Sequence, residues 1–84
     1  MIRVGLVDDD RDHLKLMKTF IRQYETEQGV RFQVAEYQNG LNFVEDYDGT
    51  LDVVFLDIEM PHMDGMTAAR RIREKDGALG IVFV

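Results

Sequence analysis

The run Val53-Val54-Phe55-Leu56 holds four apolar residues without a polar break, between Asp52 and Asp57. A strand with one wet face alternates in polarity. A continuous apolar strand needs cover on both faces, as in parallel sheets flanked by helices. Parallel neighbours in turn need a crossover of about a dozen residues or more, usually a helix. The rest of the chain supplies the other strands and the crossovers. Ile2-Arg3-Val4-Gly5-Leu6-Val7 is short, β-branched and bounded by Asp8-Asp9-Asp10. Phe32 to Tyr37 alternates and suits a strand nearer an edge, and Ile81-Val82-Phe83-Val84 is a fourth apolar run.

Between these runs the period changes. Leu14, Met17, Ile21 and Tyr24, with Phe20 beside them, predict an amphipathic helix from Arg11 to about Glu27, before Gly29. Asp10 or Asp12 can cap it, and acids there suit the positive end of the helix dipole. Asn39-Gly40 marks a turn, followed by a short helix from Leu41 to about Asp46 that Asp48-Gly49 closes. A third helix is predicted from Gly65 to Lys75, capped by Asp64 and stopped at Asp76-Gly77, with Met66, Ala69 and Ile72 facing inward. The order βαβαβαβ with short connections predicts an α/β fold, a doubly wound parallel sheet with helices on both faces. Sites in such sheets lie beyond the carboxyl ends of the strands, where strand order reverses.

Composition narrows the function. Eighty-four residues make one small domain. A net charge of −6 argues against direct nucleic-acid binding, since phosphate contacts need clustered Lys and Arg. The one basic cluster, Arg70, Arg71, Arg73 and Lys75, reads as a solvated helix face. The absence of cysteine excludes a disulfide scaffold, thiolate metal sites and cysteine nucleophiles, and suits a reducing cytoplasm. No apolar stretch approaches the roughly 20 residues that cross a bilayer, so no membrane partner is expected, and no signal-peptide pattern opens the chain.

The acidic residues carry the chemistry. Asp8 and Asp9 end the first strand and Asp57 ends the third. If both strands are central and parallel, their ends lie roughly 5 Å apart. Carboxylates so close raise one another's pKa unless a cation intervenes, and Mg²⁺ suits a few carboxylates, a carbonyl and water. Capping and solubility explain any one of these aspartates. They do not explain two buried-type strands reaching acid at the same sheet edge. Asp8, Asp10 and Asp12 alternate as in an EF-hand, but His13 stands where that loop needs Gly and Thr19 where it needs Glu. Neither histidine has a ligand partner at helical or hairpin spacing; His13 is expected on a solvated helix face and His62 in a loop.

Together "VDDD", "VVFLD" and "DIEMPHMDG", with their spacing, resemble the receiver domains of bacterial two-component response regulators over nearly the whole chain. The wording "DIEMPHMDGMTAARRIRE" is most similar to receivers of LytTR-type transcription regulators. The resemblance implies the flavodoxin-like receiver fold and a phosphorelay role. Asp57 would accept a phosphoryl group from the phosphohistidine of a sensor histidine kinase. Asp9, Asp57 and the Glu59 backbone carbonyl would ligate Mg²⁺, with Asp8 acting mainly through a metal-bound water. Glu59 would govern how water reaches the phosphoryl group, and Pro61 and Gly65 would shape the loop. Such a chain is a signalling domain rather than a metabolic enzyme, losing its phosphoryl group slowly if at all, and would control transcription through an output domain absent here.

The family also places a Thr or Ser after its fourth strand and a Lys after a fifth. Val84 stands just before the first of these, and Lys18 and Lys75 lie on predicted helices. Residues 1–84 are therefore expected to be an incomplete receiver of four strands and three helices, with a hydrophobic last strand open to pairing. That supports an alternative function, a dimerising or segment-swapping module without a phosphorylation switch. A hydrolase of the haloacid-dehalogenase type is disfavoured, because Glu59 stands where those enzymes place a second Asp.

Overall fold

Side-chain caps divide the chain into its elements. The Asp10 carboxylate accepts from the amides of Asp12 and His13 and starts a helix. Gly29 ends that helix in the left-handed region, at φ 66°, where a side chain would be strained. Asn39 accepts from the Asn42 amide at 2.7 Å and Asp64 from the Thr67 amide at 2.8 Å, starting the other two. The computed structural model describes residues 1–84 as β1 (Ile2–Val7), α1 (Arg11–Gln28), β2 (Phe32–Tyr37), α2 (Gly40–Asp46), β3 (Val53–Leu56), α3 (Gly65–Lys75) and β4 (Gly80–Phe83).

The four strands form one parallel sheet in the order β2-β1-β3-β4. β2 is at an edge, as its alternation predicts, and β1 and β3 are central. Alternation within each strand assigns its side chains to two layers. Val7, Val54 and Leu56 pack with Phe43, Ala68 and Ile72 beneath α2 and α3. Val4 and Leu6 pack with Leu14 beneath α1. This is the doubly wound flavodoxin-like arrangement.

Two expectations about faces need correction. Met66 is 47% exposed; the buried residues of α3 are Gly65, Ala68, Ala69 and Ile72, and Met66 lies off that stripe. Phe20 and Tyr24 are also more than half exposed. Residues of the 18-residue α1 meet only β1 and β2 in number, so an apolar groove of about 490 Å³ remains along it, lined by residues that include Met17, Ile21, Val53, Phe55 and Val84. Val53 and Phe55 are accordingly half-buried, whereas Val54 and Leu56 on the other face are fully buried.

At the end of the sheet remote from the aspartates, the Tyr47 hydroxyl donates to Asp76 at 2.5 Å, tying α2 to α3. Lys75 Nζ donates to the Val44 carbonyl, and Arg73 Nη1 to the Leu79 carbonyl at 2.5 Å. With Arg70 Nε donating to the Met66 carbonyl at 3.4 Å, three of the four residues of the basic cluster are committed to backbone oxygens. No helix is long and apolar enough to cross a membrane.

Candidate functional site

β1 and β3 are adjacent with Val7 opposite Leu56, so the next residue of each, Asp8 and Asp57, leaves the sheet at the same edge. The Asp57 amide donates to the Val7 carbonyl at 3.0 Å, and the Asp8 amide to the Tyr37 carbonyl at 3.1 Å. Here the chain leaves β1 toward β2 on one side and returns to β3 on the other, which is the switch point of the sheet. Asp8, Asp9 and Asp57 each bring one carboxylate oxygen to within 4.8 Å of the other two.

The three differ in environment. Asp8 is 1% exposed; its Oδ1 accepts from the Asp10 amide at 3.0 Å and its Oδ2 meets His13 Nδ1. Asp9 is exposed and Asp57 half-buried. Asp57 Oδ1 accepts from the Glu59 amide at 3.2 Å. Burial pushes the Asp57 carboxyl above its ordinary pKa, and the charges of Asp8 and then Asp9 push the same way, against the Glu59 amide. Repulsion of this kind is relieved by a cation, and a set of carboxylate oxygens suits a hard divalent one.

The loop after Asp57 is held close to it. The Gly65 amide donates to the Ile58 carbonyl at 2.9 Å, and a Cβ at Gly65 would lie 2.2 Å from the Asp57 carbonyl oxygen. Gly65 is required for room at this point. Between them the Met63 amide donates to the Pro61 carbonyl at 2.8 Å across His62, whose φ is 69°. Met60 is buried under the loop and Pro61 is exposed. Ile58, Glu59, Met60, Pro61, Asp64 and Met66 line a shallow groove beside Asp57.

His13 is a residue the sequence reading misplaced. It is expected on a solvated face, yet its ring meets the buried Asp8. The available signal was its place in the first turn after a strand-end acid, which turns a side chain back toward that acid. Lys18 pairs with Glu36 at 3.1 Å and Lys75 with a carbonyl of α2, so neither lysine joins the acidic edge.

The family model of the response regulator receiver domain matches residues 4–84. The chain belongs to that family. The chemotaxis protein CheY of Listeria monocytogenes is 35% identical over 84 residues, covering 99% of this chain and 66% of that protein. The transcriptional regulatory protein NatR of Bacillus subtilis is 31% identical over 84 residues, covering 35% of its own length. The chain therefore spans about two thirds of the CheY relative and a third of NatR. Among solved structures, the response regulator TrrA of Thermotoga maritima in complex with Mg²⁺-BeF superposes with a TM-score of 0.85 at 28% identity, covering 99% of this chain and 68% of that one. TrrA in complex with the histidine kinase ThkA superposes with a TM-score of 0.81, again at 28% identity, covering 99% and 67%. Receiver domains are signalling domains, not classical enzymes.

Proposed function

We propose that this receiver accepts a phosphoryl group on Asp57 from a phosphohistidine of a sensor histidine kinase. The observation that carries the reading is the meeting of the Asp8, Asp9 and Asp57 carboxylates at the switch point between β1 and β3. An Asp57 carboxylate oxygen would attack phosphorus as the P–N bond to the kinase histidine breaks, with the electron pair leaving on the imidazole nitrogen. Asp57 is suited to this by partial exposure and by burial that deprives its charge of water.

Asp9, Asp57 and the Glu59 carbonyl would hold Mg²⁺, with Asp8 reaching it through water. When bound, the ion supplies charge neutralisation for the phosphoryl oxygens. The TrrA complexes with Mg²⁺-BeF and with ThkA support both parts of the reading. Glu59, exposed beside the nucleophile, would set how readily water attacks the aspartyl phosphate, and Pro61 and Gly65 would shape the loop. Residues 1–84 would act as one receiver unit in the cytoplasm. Transcription control, of the LytTR type suggested by the stretch after Asp57, would be exerted by an output domain and not by this acidic chain. CheY relatives make chemotaxis the competing output.

The test is incubation with a small phosphodonor and Mg²⁺. One acid-labile phosphoryl group should appear by intact mass and be absent from Asp57→Asn. Labelling that survives in that variant, or its absence from the wild type, would overturn the reading.

A second reading, self-association, is favoured by the apolar groove beside α1 and by Val82 of β4 and Val84 just after it, each more than two-fifths exposed. Sedimentation velocity across a concentration series would show reversible dimers; a monomer at every concentration would exclude it.

A further inference from the structure

We propose that His13 is a positioning residue of the metal site, fixing the buried Asp8 carboxylate in the orientation that faces Asp9 and Asp57. The inference rests on the Mg²⁺ reading above. Asp8 is 1% exposed; its Oδ1 accepts from the Asp10 amide and its Oδ2 meets His13 Nδ1. A carboxylate that serves a metal is ionised and only accepts, so on the Mg²⁺ reading the contact requires a hydrogen on Nδ1 of the ring. Both donors belong to the segment that begins α1, and the Asp10 carboxylate that caps the helix also accepts from the His13 amide at 3.3 Å. The helix start therefore grips Asp8 at two points, and rotation of its carboxylate would break both bonds.

The imidazole is not itself placed as a ligand. The mutually close set consists of Asp8, Asp9 and Asp57, and no histidine belongs to it. A donor on Oδ2 removes the freedom of one member of the site to turn away from its neighbours. Partners of this kind, one shell out from a metal, commonly change affinity by about 10- to 100-fold when removed. The His13 side chain is 40% exposed, so replacing it need not open a cavity.

The test compares Mg²⁺ dissociation constants, followed by amide chemical shifts, for the wild type, His13→Phe and His13→Asn. Asparagine places an N–H at the same number of bonds from Cβ as Nδ1; phenylalanine keeps the ring and removes the donor. His13→Phe should bind Mg²⁺ about 10- to 100-fold more weakly and His13→Asn within about threefold of the wild type. In the metal-free wild type, nitrogen-edited spectra of the ring should show hydrogen on Nδ1. Equal affinity in wild type and His13→Phe overturns the inference while leaving the Mg²⁺ reading standing. Equal weakening in both variants also overturns it, since that would trace the loss to the helix start and not to the donor. A wild type that binds no Mg²⁺ overturns both.

Discussion

A Cβ added to Gly65 would stand 2.2 Å from the carbonyl oxygen of Asp57 and 2.9 Å from the Ile58 Cα. The first residue of α3 is thus pressed against the backbone of the candidate nucleophile. On helix propensity alone Gly65→Ala would gain about 1 kcal/mol. The clash is with backbone and cannot be relieved by a rotamer change, so it should win. The expected net loss is about 1–3 kcal/mol, typical of overpacking. Urea denaturation measures it, and amide shifts should change at Asp57 and Ile58.

Asp57→Asn should stabilise the protein at neutral pH in the presence of a chelator. Burial and the charges of Asp8 and Asp9 all disfavour the ionised Asp57 carboxyl, and the amide carries no charge to bury. Adding Mg²⁺ should reverse the order. A saturating ligand at a hundredfold its dissociation constant contributes about 2.7 kcal/mol to whichever form binds it. Thermal unfolding of both proteins, with and without Mg²⁺, tests this.

The Tyr47–Asp76 bond should make stability depend on pH. The Tyr47 hydroxyl holds the Asp76 carboxyl below its ordinary pKa, with the Ala78 amide helping. A depressed carboxylate contributes stability above its unfolded value, near 3.9, and loses it as pH falls through the lower folded value. Asp76→Asn should therefore lower the urea midpoint at neutral pH and converge on the wild type as pH falls through the lowered folded value.

Phe43→Ala should be severe. Phe43 is fully buried, with ring centroids 5.1 Å from Tyr37 and 5.6 Å from Tyr47. Truncation of a buried Phe costs about 3–5 kcal/mol, a large share of the 5–15 kcal/mol that holds an ordinary domain together. Circular dichroism at 25 °C should show a substantially unfolded population, and Phe43→Leu a smaller one.

His62→Gly should be stabilising by about 1 kcal/mol, because φ 69° costs a residue with a Cβ roughly 1–3 kcal/mol and glycine adopts it freely at some entropic loss. An unchanged or lower urea midpoint would mean that the turn across His62 is not strained.

The strands and helices were legible because each rests on local chemistry. Alternating and continuous apolar runs, Asp64 as a cap and Gly29 as a stop act within a few residues of themselves. Asp10 was one of two possible caps, and only the backbone geometry distinguishes it from Asp12. The outward turn of Met66 and the exposure of Phe20 were not legible, because periodicity reports a face and not how far a neighbouring layer extends over it.

The sequence by itself determined the α/β order, the acids at two strand ends and the glycine and proline between them, since propensity, capping and polarity are properties of neighbouring residues. Only the tertiary structure decided that β1 and β3 are adjacent, that Asp8 is buried, and that His13 turns back to hold it. Those facts depend on strand order and on the packing of α1, which bring together groups the chain keeps far apart. They turn three aspartates into one site.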